Sequence, residues 1–385
     1  MRRVNENCYG CASCIAVCPH KAIRLELSQD GFYVAVKTDT CVECGICERH
    51  CASIKGLSKP ISKECVYAAE PRDRRAVEGS SSGGLAYFLA RKALEDGWRA
   101  FGCTYDPKIQ GARHIAIGSE KELHRIQGSL YLMSDMSGIG EFVSNAKGGA
   151  LFGTPCQIAG AHAVLERKGR RQEFLLVDIF CHGVPSQIAW TKHLEHLEKK
   201  NTELKKAKYS FRDGKVYCLT GYMTDSSHRR RILYSKPCGQ DGFFRLFLAG
   251  TIFNETCYAC PYRRMSCADI RLGDLATGGY LNLQDPPSCA IANTERGLAA
   301  LHSLKQDVRF KKIDYSVVDS VQDKGDKQPP ADRGQVLHAL KAGSSPDEIE
   351  QMRIKASAAK SFFTSIAGRF KTKSKQPDSI FEVEE

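Results

Sequence analysis

The chain has no run of about eighteen apolar residues, so no membrane-spanning helix is expected anywhere in its 385 residues. Its opening, MRRVNENCYG, lacks an apolar h-region; export by a signal peptide is not expected, and the expected location is cytoplasmic. Without export, the eighteen cysteines would meet a reducing compartment in which stable disulfides are rare. Metal binding is then the better account of most of them. Acidic residues are also in short supply, 44 against 56 Lys and Arg, for a net charge of +12. No RNA- or DNA-binding motif accompanies that excess, so nucleic acid is not an expected partner. A basic surface equally suits acidic redox proteins or phosphate-bearing cofactors. The length is too great for one compact core and suits two or three domains.

CYGCASCIAVCPH (8–20) and CVECGICERHC (41–51) share the spacing C-x2-C-x2-C-x3-C. Zinc ribbons use separated C-x2-C pairs and need only four ligands per ion. Three cysteines at three-residue steps, with a fourth set back by four, suit a cubane; in two-cluster ferredoxins that fourth cysteine ligates the other cluster. The spacing therefore predicts Cys8, Cys11, Cys14 and Cys51 on one [4Fe–4S] cluster and Cys18, Cys41, Cys44 and Cys47 on a second. Between the runs, AIRLEL and GFYVAV alternate as strands around an SQDG turn. Pro19 after Cys18 is the usual ferredoxin residue, from which Ala52 after Cys51 departs.

The expected organisation is α+β: a two-cluster ferredoxin module over 1–55, a linker over 56–64, a mixed α/β domain with antiparallel additions over 65–310, and a variable polar connection with a basic end over 311–385. In the second domain, helix patterns such as GGLAYFLARKALEDG and QIAGAHAVLERKG alternate with strand patterns such as WRAFGCTY and EFLLVDIF. KAKYSFRDG, KVYCLTGYM and RRRILYS read as an antiparallel meander.

Four stretches of this domain look chemical. SSSGG (80–84) precedes a helix, where free N–H groups suit an anion such as a flavin pyrophosphate, or where Ser82 serves as an ordinary N-cap. In LFGTPCQIAG a buried strand ends in a Gly-Thr-Pro turn before Cys156 at a helix start, a position that favours thiolate. VDIFCHGVPS repeats that arrangement with Cys181. ETCYACPY supplies Cys257 and Cys260, on its own half a zinc site or a redox pair; with Cys156 and Cys181 it completes four thiolates, enough for a third cubane. Cys267 is a nearby competitor, and His182 a candidate ligand or base more simply read as hydrogen-bonded at a turn.

These residues resemble the beta subunit of coenzyme F420-reducing hydrogenase and its dehydrogenase relatives. The resemblance rests on the ferredoxin pair, SSSGG, IQGSLYLMSD, LFGTPCQIAG, VDIFCHGVPS, CYACPYRR and ADIRLGD in the family order, and is greatest to short bacterial members, many of them polysaccharide-associated. It implies an FAD held by the second domain, at Ser80, Ser81, Ser82, Gly83, Gly84, Gly128, Ser129, Tyr131, Thr154, Pro155 and Gln157, beside a third cluster on Cys156, Cys181, Cys257 and Cys260. Relatives often carry Lys where this chain has Leu130, which removes a cation that would meet a phosphate or an anionic substrate. A flavin joins two-electron coenzymes to one-electron clusters, so the implied activity is an oxidoreductase linking an F420-like coenzyme or an organic substrate to one-electron carriers. The alternatives are a ferredoxin-dependent reductase of an organic substrate and a non-catalytic electron-transfer subunit. Expected partners are a ferredoxin or a larger redox complex, with a diffusible coenzyme or substrate. No catalytic acid or base is assigned. KASAAKSFFTSIAGRFKTKSK (355–375) places Phe362, Phe363, Ile366 and Phe370 at helical spacing on a basic stretch, a candidate for peripheral membrane contact or for packing on its own domain.

Overall fold

A computed structural model describes residues 2–53, 58–213, 216–225, 229–275, 287–322 and 327–355. The basic amphipathic stretch lies outside them except for Lys355. Among the described residues no helix is long and apolar enough to cross a membrane.

The N-terminal module runs α1 (Ser13–Val17), β1 (Ile23–Leu27), β2 (Tyr33–Lys37) and α2 (Ile46–Arg49), with β1 and β2 an antiparallel hairpin. Its two cysteine loops repeat in backbone as well as spacing. Gly10 and Glu43 occupy equivalent positions with φ 67° and 52°, and so do Ala12 and Gly45 with φ 59° and 70°. Left-handed backbone is free to glycine and costs other residues about 1–3 kcal/mol, so it persists at Ala12 and Glu43 only because the surroundings hold it.

The chain continues through β3 (Lys59–Pro60), β4 (Val66–Pro71), α3 (Leu85–Glu95), β5 (Arg99–Asp106), β6 (Gly111–Ile117) and β7 (Ser134–Asp135). Next come α4 (Ile139–Asn145), β8 (Gly149–Gly153), α5 (Pro155–Arg167), β9 (Phe174–Ile179) and α6 (Gln187–Glu198). The meander is β10 (Lys208–Asp213), β11 (Val216–Thr224) and β12 (Arg230–Pro237), followed by α7 (Gly242–Leu248). β13 (Met265–Ser266), β14 (Ile270–Asp274), β15 (Ser288–Ala292), α8 (Glu295–Ser303), β16 (Val308–Lys312), α9 (Tyr315–Gln322) and α10 (Arg333–Lys341) complete it.

Among the described residues nine strands make one sheet, in the order β16-β4-β15-β14-β9-β8-β5-β6-β7. β14, β9, β8 and β5 are parallel neighbours, and β4 runs the same way because β15 is antiparallel to both β14 and β4. Central strands covered on both faces need near-continuous apolar sequence, and FLLVDI of β9 supplies it. One face is packed by Ile139 and Phe142 of α4, Ile158 and Leu165 of α5, and Val17 of α1, so the ferredoxin module joins a helix layer of the second domain. The other face is packed by Phe88 and Leu89 of α3 and Leu301 of α8. The meander closes a separate core around Trp190, Phe211, Phe243 and Leu340.

Three boundaries differ from expectation. Within the expected linker, Lys59 and Pro60 pair with Ser266 and Met265, because an edge strand beside the second C-x2-C loop offers them partners. The domain does not end at 310. β16 extends the sheet to Lys312, Val318 packs on Ile61 and Val66, and Val336, Leu337, Leu340 and Ile349 fill the meander core. Their apolar spacing gives the segment a face to bury, which its polar composition obscures. The N-cap of α3 is Gly84 and not Ser82, whose hydroxyl instead meets that of Ser288 at 3.2 Å.

Candidate iron–sulfur and flavin sites

Cys18, Cys41, Cys44 and Cys47 line one cavity of the ferredoxin module, together with Pro19, Ile23, Lys37 and Ile46. The other four thiols form a second group. Burial pushes the Cys14 thiol well above its ordinary value, and the thiols of Cys11, Cys8 and Cys51 push it further. Cys11 is driven up to about 11 chiefly by burial. Backbone N–H groups of Gly10 and Ala35 approach Cys8 Sγ at 3.4 and 3.5 Å, and that of Ala22 approaches Cys18 Sγ at 3.4 Å. Such donors favour the charged sulfur. Cys18 thus lies with three thiols of the second run and Cys51 with three of the first, while Cys47 also neighbours Cys14.

A third ring of thiols forms at the carboxyl edge of the parallel strands, the usual ligand edge of such sheets. β8 ends at Gly153, and Gln157 reaches back to accept from Thr154 N–H at 2.9 Å, fixing the first turn of α5 with Cys156 in it. Cys181 follows β9. Cys257 and Cys260 arrive on the loop after α7, where Asn254 accepts from Thr256 N at 3.2 Å. The four cysteines line one cavity with Tyr9, Met133, Thr154, Pro155, Gln157 and Tyr262. Cys267 packs behind that wall, and burial pushes it up to about 12.

Two buried guanidinium groups brace this ring. Arg271 and Asp178 are both fully buried and paired twice at 2.8 Å. Arg271 also donates to the carbonyls of Arg263 at 3.0 Å and Met265 at 2.8 Å. Arg263 in turn donates to the carbonyls of Cys257 and, at 2.9 Å, Tyr258. These residues were not among the expected ones. Asp178 and Arg271 had a signal, a charge inside an apolar strand, which is tolerated only when paired; Arg263, in the turn after Cys260, had none.

Burial drives the thiols of this ring upward, and the neighbouring thiols add to it, while at Cys257 and Cys260 backbone N–H donors and Arg263 partly offset it: Cys257 to about 12, Cys260 to about 11, and Cys156 well above the usual value. Four half-buried thiolates held around one cavity repel one another, so the set suits a positively charged metal core that replaces the protons. Among the described residues no three His, Cys, Asp or Glu side chains close on a point that would hold a single ion. The donor set and the cavity it surrounds fit an iron–sulfur cluster.

The residues that the resemblance implies for flavin fall into two places. The SSSGG and GSLY stretches meet: Ser81 and Ser129 hydroxyls bond at 2.6 Å, and Gln127 donates to Ser80 Oγ at 3.0 Å. Arg212 of β10 joins them, donating to Ser81 O at 3.2 Å, Tyr131 Oη at 3.3 Å and Asp274 at 2.6 Å, with its guanidinium 4.4 Å from the Tyr217 ring centre. Hydroxyls and a buried guanidinium fit an anionic group such as a pyrophosphate. Arg212 had no sequence signal, because it is brought in by the meander. Gly128 joins this group, while Gly83 and Gly84 pack on β4 and Val77: a Cβ at Gly83 would lie 2.6 Å from the Ala69 carbonyl. Thr154, Pro155 and Gln157 lie instead on the thiol cavity. The Gln157 amide also donates to Ser134 Oγ at 2.9 Å, and that hydroxyl meets His114 Nδ1 at 3.2 Å. Burial pulls His114 down to about 4, so it is neutral. His182 Nε2 lies 3.1 Å from Gln322 Oε1 of α9, a hydrogen bond at the turn after β9.

Comparison with known proteins bears on both modules. Residues 7–53 match a 4Fe-4S dicluster domain, and residues 147–316 match the C terminus of the coenzyme F420 hydrogenase/dehydrogenase beta subunit. A chain of the F420-reducing [NiFe] hydrogenase complex from Methanosarcina barkeri is similar at 16% identity, over 77% of this chain and 93% of that one, with a TM-score of 0.45. No curated protein matches the chain.

Proposed function

The chain belongs to the coenzyme F420 hydrogenase/dehydrogenase beta-subunit family, whose C-terminal domain it carries behind a 4Fe-4S dicluster domain, and on that premise we propose an iron–sulfur flavoprotein with three clusters and one FAD. It is an iron–sulfur electron-transfer protein of an oxidoreductase family. The proposed activity is exchange of electrons between a two-electron donor, an F420-like coenzyme or an organic substrate, and a one-electron redox partner. The observation that carries it is the ring of Cys156, Cys181, Cys257 and Cys260 directly beside the dicluster module.

When bound, FAD supplies the exchange between paired and single electrons, and the clusters supply one-electron storage. The chain's own residues do the rest. Ser80, Ser81 and Ser129 offer hydroxyls to the pyrophosphate, and Arg212 offers a cation where Leu130 has none. Asp274 and Tyr131 fix the Arg212 guanidinium, so the cation is preorganised. Arg263 and Arg271 hold the 257–260 loop so that its two thiolates face those of Cys156 and Cys181.

Anaerobic reconstitution followed by iron, sulfide and flavin analysis tests this. About twelve irons and one FAD per chain are expected from three cubanes of four irons. About eight irons with no flavin would leave only a relay between partner proteins. A further assay with reduced deazaflavin or reduced ferredoxin, and a dye acceptor, separates the two donors.

A further inference from the structure

The two clusters of the dicluster domain have equivalent spacing but unequal positions. We infer that the cluster on Cys8, Cys11, Cys14 and Cys51 is the inner station, that on Cys18, Cys41, Cys44 and Cys47 the outer one, and that Tyr9 bridges the inner station to the second-domain ring. This rests on the three-cluster reading above.

Three contacts carry it. First, Cys156 and Gly160 are four residues apart on α5 and therefore share a face. A Cβ at Gly160 would sit 2.7 Å from Cys11 Sγ, so the helix that presents a thiol of one ring touches a thiol of the other. Second, Tyr9 lies between Cys8 and Cys11 in sequence, yet its ring lines the cavity of Cys156, Cys181, Cys257 and Cys260. It stands edge-on to Tyr262 with centroids 5.7 Å apart. Third, Tyr262, two residues after Cys260, donates its hydroxyl to the carbonyl of Ala52 at 2.7 Å, and Ala52 follows Cys51. One inner ligand, Cys11, and the residues beside two others, Tyr9 after Cys8 and Ala52 after Cys51, thus pack against the helix, loop and cavity of the second-domain ring.

The outer four show the reverse. Among the described residues their cavity is lined by residues 18–47 alone, Cys44 is exposed, and neighbouring Val42 is 57% exposed. Electronic coupling falls steeply with distance and falls less through bonded and packed atoms than through gaps. With clusters bound at both sites, the exchange would be a one-electron transfer, one cluster oxidised as the other is reduced, with no bond or proton moved. The short packed path lies through Tyr9 and the Cys11–Gly160 contact, and the exposed outer cluster is the station from which a partner protein draws or donates.

Electron paramagnetic resonance of the reduced holoprotein tests the order, since magnetic broadening falls with the cube of the distance between clusters. Iron analysis comes first: about twelve irons in the wild type support the reading beneath, and about eight would sink that reading separately. Cys44→Ser should then leave the broadening of the second-domain signal intact, and Cys51→Ala should abolish it; the opposite pair of results overturns the order. Where a ligand variant loses both ferredoxin clusters, Tyr9→Leu decides, because it keeps an apolar side chain and every ligand. Freeze-quench after rapid reduction should show the second-domain signal rising at the wild-type rate while the ferredoxin-type signals lag. Unchanged timing in Tyr9→Leu overturns the bridge.

Discussion

Cys11 and Cys44 hold equivalent places in the two cysteine runs, with left-handed residues before and after each, yet Cys11 is buried under α5 and Cys44 faces solvent. The third ring differs from both. Its four thiols come from segments a hundred residues apart and meet only because β8, β9 and the loop after α7 end at one edge of a sheet. A local ring is written in spacing and can form as soon as its loop does. A distributed ring exists only while the whole domain holds. Iron content, stability and packing should therefore respond differently in the two regions.

The strongest way to break the comparison is to remove one ligand from each kind of ring. Cys260→Ala should cost about four of about twelve irons and leave the ferredoxin-type absorbance unchanged. Cys51→Ala should do the converse and spare the third cluster. Iron analysis with the visible spectrum reads both. Loss of all iron from Cys260→Ala would show that the modules do not assemble independently.

Next in size is the buried pair beneath the distributed ring. Asp178→Asn leaves Arg271 buried without its carboxylate, and breaking such a pair costs about 3–5 kcal/mol. Denaturant unfolding should show that loss, with third-cluster iron released before ferredoxin iron. Simultaneous release would contradict the distinction between local and distributed rings.

How far the sequence discloses each region follows the same division. The cysteine runs, the hairpin and the meander are all set by short-range pattern. Cys156, Cys181, Cys257 and Cys260 were legible only because strand ends and a C-x2-C pair carry local marks. Arg212, Tyr9 and the Ser134–His114 pair carry none, since their roles come from partners 20 to about 250 residues away. The segment after 310 looked like a connection because its polar residues outnumber the few, Val336, Leu337, Leu340 and Ile349, that fill the meander core.

A pH shift sharpens the contrast further, through a latch confined to the second domain. His193 is buried between Asp241 at 3.0 Å and Asp347 at 3.1 Å. Burial pulls its value down, but the two carboxylates outweigh that and raise it to about 9 from an ordinary 6.5. The stabilisation is thus fully present below pH 6.5 and is lost as pH rises through 9, a difference of roughly 3 kcal/mol. Tm should fall between those values in the wild type and change much less in His193→Phe. Because Asp241 also caps α7, accepting from Phe244 N at 2.9 Å, the loop carrying Cys257 and Cys260 should loosen first. Ferredoxin-type absorbance that fades before third-cluster absorbance on this rise would reverse the expectation.

The smallest effect belongs to the seam between the regions. Gly160→Ala adds one methyl group within 2.7 Å of Cys11 Sγ and 2.8 Å of Cys11 Cβ, closer than real carbon contacts come. Two terms oppose each other. Alanine is favoured over glycine in a helix interior by about 1 kcal/mol, while overpacking a tight contact costs about 1–3 kcal/mol. The neighbour is a ligand anchored to its own loop, not the free end of a flexible side chain, so relief requires α1 and α5 to separate. Overpacking should therefore win by about 1 kcal/mol, and the strain should concentrate at the inner ring. Iron release to a chelator separates this from a general loss of stability. In the wild type the exposed outer ring should lose iron before the inner; in Gly160→Ala the gap between the two phases should narrow. A variant as stable as the wild type with unchanged phases would mean that the seam yields freely and that α5 does not press on Cys11.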